Sequence, residues 1–175
     1  IFKEVDDLII GSLGIVAFIS FFVGGVVAIQ TALNLTNPLI PKSLMGFATR
    51  QSVILEFGPT FISVIMAGKM GSFITSTIGT MRVTEQIDAL EVMGVNALNY
   101  LVFPKLIALL LYPFVIGIAM FLGILGGYVA AVYGGFGNGS DFIIGLQKDF
   151  VPFHIAYAFI KTFVVGLVLA TIPSF

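Results

Sequence analysis

The sequence predicts an all-α integral membrane protein: four transmembrane helices, with one short charged helix between the second and the third. Three observations carry that reading. Of 175 residues, 58% are hydrophobic and only 10% are charged, with a mean hydropathy of +1.12, which is too apolar for an ordinary water-soluble domain. No charged residue occurs for 34 positions between Asp7 and Lys42, nor for 35 between Lys105 and Asp141. A helix needs about 20 apolar residues to cross roughly 30 Å of hydrocarbon, so each run holds one crossing and is too short for two with a turn. Between two long apolar runs, the stretch RVTEQIDALEVMG gathers Arg82, Glu85, Asp88 and Glu91.

The expected organisation is a single domain over 1–175. Residues 1–7 form an interfacial segment with Lys3, Glu4, Asp6 and Asp7 set against Phe2 and Val5. The first span, 8–33, offers Gly11, Gly14, Gly24 and Gly25 as places where a neighbouring helix approaches closely. Residues 34–52, with Pro38, Pro41, Lys42 and Arg50, read as a loop or short surface helices. The second span is 53–81. In it Ala67, Gly71, Thr75 and Gly79 recur four apart, followed one position on by Gly68, Ser72, Ser76 and Thr80. In lipid, helices associate by close backbone approach, so this face is expected to pack on another helix, in the chain or in a second copy; the alternative for its hydroxyls is a pore lining.

The third span, 98–133, carries Pro104 and Pro113 early and a GxxxG pair, Gly123 and Gly127, late. Residues 134–148 read as a Gly-rich surface loop, and 150–173 as the fourth span, with His154 at its interfacial start. Besides Lys105 near the start of the third span, three charges fall within the spans. Glu56, just before Gly58 and Pro59, is a functional candidate because an acid at membrane depth is costly unless paired or wetted; the alternative is an interfacial acid reaching the headgroups. Lys69 lies mid-helix and demands a partner or a snorkelling route. Lys161 needs a carboxylate, a lipid phosphate or water. Basic residues assigned to the loops divide evenly, Lys42, Arg50 and Lys148 against Lys3, Arg82 and Lys105, so charge leaves the orientation open.

The charged segment, 82–94, reads as an amphipathic helix. Val83, Ile87, Leu90 and Gly94 share one stripe while Glu85, Asp88 and Glu91 fan across the other side. Thr84 is the expected N-cap, Glu85 an acid in the first turn, and Gly94 the stop. The segment is either a solvated connector or a docking helix for a soluble partner.

Several chemistries are excluded. A net charge of -1 argues against nucleic acid as a partner, and the absence of Cys with a single His rules out disulfides and thiolate or His-rich metal sites. No GxxxxGK[ST] loop occurs, since Gly68-Lys69-Met70 lacks both the spacing and the hydroxyl, and neither GxSxG nor HExxH is present. No catalytic residue, metal or other cofactor is expected. Transport subunit, channel and scaffold remain, and a compact acidic helix between spans favours a subunit driven by a separate ATPase.

The run AGKMGSFITSTIGTMRVTEQIDALEVMGVNALNYLVFPKLIA, Ala67 to Ala108, together with EFGP at Glu56 to Pro59 and LGGYVA at Leu125 to Ala130, resembles the MlaE-type permeases. These are membrane subunits of ABC transporters that work with MCE-domain proteins. The resemblance implies a homodimer in the bacterial inner membrane, or the equivalent plastid membrane, that moves phospholipid with a cytoplasmic ABC ATPase subunit and an MCE-domain lipid-binding protein. It makes Thr84 to Met93 the cytoplasmic coupling helix, with Arg82, Glu85, Gln86, Asp88 and Glu91 as candidate ATPase contacts. It places Glu56, and with it Lys69, near a lipid cavity, and it implies a further span beyond Phe175. Two positions depart from the family pattern: Lys69 stands where Arg is common, and Thr77 where an acid is common. The competing reading is a passive oligomeric channel or scaffold.

Overall fold

The computed structural model describes residues 6–35 and 40–172, and the regular structure among them is helical throughout. Most of the expected interfacial segment, together with Pro38 and position 173, falls outside the described residues. A π-helical turn, Asp6–Ile10, leads into α1 (Gly11–Asn34). Next come α2 (Leu44–Ser52), a π-helical segment (Val53–Ile62) and α3 (Ser63–Val83), which run end to end. The chain continues through α4 (Gln86–Val92), α5 (Ala97–Leu110), α6 (Tyr112–Tyr133), α7 (Gly139–Gln147) and α8 (Pro152–Thr171). Four stretches, Asp6–Asn34, Leu44–Val83, Asn99–Tyr133 and Pro152–Leu169, are long and apolar enough to cross a membrane. The all-α membrane class expected from composition holds.

Glycine sets the central packing. A Cβ on Gly24 of α1 would sit 1.8 Å from the Gly123 carbonyl oxygen of α6, and one on Gly126 would sit 1.9 Å from the Phe21 carbonyl oxygen. The two backbones therefore touch, as helices in lipid do when small residues meet. The GxxxG pair in α6 takes part at both ends, since Gly127 also faces Gly24 across 3.2 Å. Gly14 has open space around it. Beneath this crossing, Val16, Met66, Met70, Ile74, Val115 and Ile116 form part of one buried apolar cluster.

Three features differ from the sequence reading. The Gly-rich stretch read as a surface loop contains α7, because Gly145 and Gly46 let α7 lie against α2: an added Cβ would meet the Ser43 and Phe142 carbonyl oxygens at 1.9 and 2.1 Å. Phe142 is then fully buried beside Met45, Ala28 and Ala131. Arg50 and Lys105, assigned above to loops, are buried instead, at 3% and 2% exposure. The Arg50 guanidinium donates to the Leu146 carbonyl at 2.5 Å and the Asp149 carbonyl at 3.2 Å, between the rings of Phe47 and Phe150; it clamps the end of α2 to the α7–α8 connection. Finally, the third crossing is two helices that break at Leu111, where Pro113, lacking an N–H, opens the first turn of α6.

The second stretch, 40 residues from Leu44 to Val83, would run about 60 Å as a straight α-helix, twice the hydrocarbon thickness. Its length exceeds what one straight crossing needs, and α4 follows its Val83 end.

If the glycine crossing sets the packing, Gly126→Ala should destabilise the protein by about 2–3 kcal/mol through overpacking. Gly14→Ala should be neutral or stabilise it by up to about 1 kcal/mol. Thermal unfolding in detergent measures both; equal effects at the two sites would count against the crossing.

Candidate functional site

The Glu56-Phe57-Gly58-Pro59 stretch occupies the π-helical segment. Pro59 has no N–H, so the Leu55 carbonyl four residues earlier loses its α-helical donor. A wider turn accommodates that mismatch. Gly58 is needed for close approach, since a Cβ there would lie 2.7 Å from Met120 Cγ of α6 and 2.9 Å from the Val53 carbonyl oxygen.

Lys161, midway along α8, reaches this segment. Its ammonium donates to the Leu55 carbonyl at 3.3 Å and lies 3.8 Å from Glu56 Oε2. One lysine therefore contacts both a backbone carbonyl of the proline turn and the carboxylate beside it, which removes much of the cost of placing either charge among apolar helices. Glu56 stays 71% exposed and Lys161 30%, so the pair opens onto the surface of the chain. Beside it, Pro59, Thr60, Val64, Ala67, Lys161 and Val165 line a largely apolar groove of about 190 Å³. Of the three partner types the sequence left open for Lys161, the structure supplies a carboxylate. Pro59, which denies the Leu55 carbonyl its α-helical donor, is the signal in the sequence that an irregular turn lies here.

Lys69 lies elsewhere. It stands about 20 Å of helical rise from Glu56, and its ammonium donates to the Gly11 carbonyl at the start of α1. The two residues grouped at one cavity by resemblance share no partner here. Thr77, where the family commonly has an acid, donates back to the Phe73 carbonyl of its own helix at 2.8 Å.

Helix α3 buries Ser63, Met66, Met70 and Ile74. Of the small-residue row, Ala67 and Gly71 are half-buried, and Thr75 and Gly79 are exposed. A Cβ added at Gly68 or Gly79 would meet nothing within 4 Å. Among the described residues, this lower face of α3 has no helix packed on it. It borders an open groove of about 770 Å³, lined by Lys69, Ser72, Ser76, Thr80 and Gln86 among others.

The charged helix is α4. Thr84 does not cap it: its hydroxyl donates to the Thr80 carbonyl at 2.8 Å and finishes α3. Glu85 takes the N-cap position in a left-handed conformation, φ 54°, with no side-chain cap. That turn breaks the helical phase, so Val83, expected on the inward stripe, is 85% exposed, and only Ile87 and Leu90 are half-buried. Gly94, at φ 73°, stops the helix. Its N–H reaches the Glu91 carbonyl at 2.9 Å and that of Val95 reaches Leu90 at 3.0 Å, a glycine-terminated closure. The Asn96 side chain then caps α5, accepting from the Asn99 N–H at 3.3 Å. Arg82, Glu85, Gln86, Asp88 and Glu91 are all exposed. Val92 and Met93, at 88% and 66% exposure, stand with them. The helix thus presents acids and bare apolar side chains side by side on its exposed surface.

These features define a multi-pass membrane protein with an ion pair within its spans and a projecting helix between the second and third crossings. The chain matches the Permease MlaE family over residues 1–175 and belongs to it. It is 33% identical over 165 residues to a probable ABC transporter permease protein of Rickettsia bellii, covering 94% of this chain and 63% of that one. It is 32% identical to a probable ABC transporter permease protein of Synechocystis, covering 92% and 61%. It is also 32% identical to the chloroplastic protein TRIGALACTOSYLDIACYLGLYCEROL 1 of Arabidopsis thaliana, covering 92% and 46%. The chain thus spans less than two thirds of the length of these relatives.

Lys161→Met should cost about 1–3 kcal/mol, because it strips a donor from the Leu55 carbonyl and a counter-charge from Glu56. Adding Glu56→Gln should cost less than the sum of the single changes. Detergent unfolding of the four proteins measures the coupling; strict additivity would show that the two side chains do not interact.

Proposed function

We propose that this chain is the permease part of an ABC-type transporter that moves phospholipid between membranes. A separate cytoplasmic ATPase drives it, and an MCE-domain protein receives or delivers the lipid. The observation that carries the reading is the Glu56–Lys161 pair, a polar point open to the surface among apolar helices and flanked by an apolar groove. A lipid needs both features: a headgroup phosphate competes with Glu56 for the Lys161 ammonium, while acyl chains lie along the apolar wall. The name of the Arabidopsis relative refers to a glycerolipid, and the names of the bacterial relatives to ABC transporter permeases.

In this reading the chain hydrolyses no nucleotide. Helix α4 is the input: Arg82, Glu85, Gln86, Asp88 and Glu91 dock on the ATPase together with Val92 and Met93, and α3 and α5 carry its movement into the bundle. The exposed small residues of α3 receive a second copy of the permease, with Gly68, Gly79 and the neighbouring hydroxyls at the seam. The docking side is cytoplasmic, and the membrane is the bacterial inner membrane or its plastid counterpart.

Charge reversal of Glu85, Asp88 and Glu91 in the full-length protein should abolish co-purification of the ATPase from detergent-solubilised membranes while leaving the permease folded. If neither wild type nor variant brings down an ATPase, the passive channel or scaffold reading takes its place.

A further inference from the structure

We propose that Tyr112, together with Ser63, is a positioning pair that holds the Glu56 segment in its π-helical register, and so sets the geometry of the Glu56–Lys161 site from the broken third crossing. The pair's bearing on transport rests on the lipid-permease reading; its structural role does not.

Tyr112 is the first residue of α6, directly after the break at Leu111, and it is fully buried. A phenol hydroxyl in an apolar interior is costly without a partner. It donates to Ser63 Oγ at 2.8 Å, and the Ser63 hydroxyl in turn donates to the Pro59 carbonyl. Where the π-helical segment passes into α3, the backbone N–H of Ser63 turns to the Thr60 carbonyl, and the Ser63 side chain reaches the Pro59 carbonyl, the acceptor that this N–H would have in an α-helix. The chain of hydroxyls therefore stitches the point at which the helical register changes.

The segment is thus held at both ends. Lys161 from α8 grips its first half at Leu55 and Glu56, and Tyr112 from α6 grips its last turn through Ser63. The Tyr112 ring is itself seated against α8: a Cβ on Gly166 would lie 3.3 Å from Tyr112 Cδ1 and 3.4 Å from the Leu109 carbonyl oxygen. The break between α5 and α6, the π-helical segment and α8 therefore meet at this one side chain. Because α5 starts just beyond α4, a displacement of α4 that bends the chain at Leu111 moves Tyr112, and with it the end of the segment that carries Glu56.

The test uses the full-length permease with its ATPase, comparing Tyr112→Phe, which keeps the ring, with Ser63→Ala and Ser63→Thr. Amide hydrogen exchange over residues 55–63 should rise about five- to ten-fold in Tyr112→Phe and in Ser63→Ala, the size of one lost hydrogen bond. Exchange at the Gly24–Gly123 crossing should stay unchanged. Ser63→Thr, which keeps the hydroxyl, should behave as wild type, and Tyr112→Phe/Ser63→Ala should be no worse than the worse single change. ATP-driven lipid transfer should fall about ten-fold in the two disruptive variants while ATP hydrolysis persists. Wild-type exchange over 55–63 in Tyr112→Phe, or loosening spread equally over the bundle, would overturn the proposal. Local loosening with full lipid transfer would overturn its functional half. Absence of lipid transfer in the wild type would count against the permease reading, while the exchange result would still decide the positioning role.

Discussion

The missing N–H of Pro59 is the constraint on which the candidate site depends. In an uninterrupted α-helix the Leu55 carbonyl would be satisfied within its own strand of hydrogen bonds. With proline at the fourth position on, that donor is absent, the helix widens over Val53–Ile62, and the Leu55 carbonyl also accepts from a side chain of another helix. Lys161 is that side chain, and its arrival brings a cation within 3.8 Å of the Glu56 carboxylate. An otherwise costly pair of charges at membrane depth is thereby built from one backbone irregularity. Gly58 completes the arrangement by letting the segment approach Met120 where any side chain would collide.

The rest of the bundle supplies a rigid frame for this irregular segment. Where α1 crosses α6, glycines bring the backbones into contact, and where α2 meets α7 the same device recurs. Arg50 closes the far end by gathering two carbonyls near the start of α8. The lower half of α3 differs: its hydroxyls bond only back to their own helix among the described residues, its small residues border an open groove, and α4 follows its end. One region of the chain is thus packed on itself, and another leaves its small residues exposed.

Much of this was legible in the sequence because membrane helices announce themselves by length and apolarity, and because the charged segment interrupts that pattern so abruptly. The stop at Gly94 and the close approach at Gly24 and Gly123 followed from residue type alone. Other features were hidden for physical reasons. Arg50 reads as a surface charge, since nothing local reveals that Phe47 and Phe150 will flank it. The helix at Gly139–Gln147 lies in a glycine-rich stretch whose glycines serve close packing rather than turns. Thr84 is equally good chemistry for finishing α3 as for starting α4, and the left-handed Glu85 decides between them. The pairing of Lys161 with Glu56 is a contact across more than a hundred residues, and the buried hydroxyl chain from Tyr112 joins residues whose types are unremarkable in either helix.

The proposed entry point for lipid is the Glu56–Lys161 groove. It is tested most directly by placing a photo-crosslinking side chain at Thr60, in that groove, and a second one at Phe18, a 65% exposed position on α1. In full-length protein with its ATPase in native membranes, the Thr60 probe should capture phospholipid to an extent that changes when ATP is supplied, while capture at Phe18 stays constant. Capture at Thr60 that equals the Phe18 background and ignores ATP would rule out lipid entry at this groove.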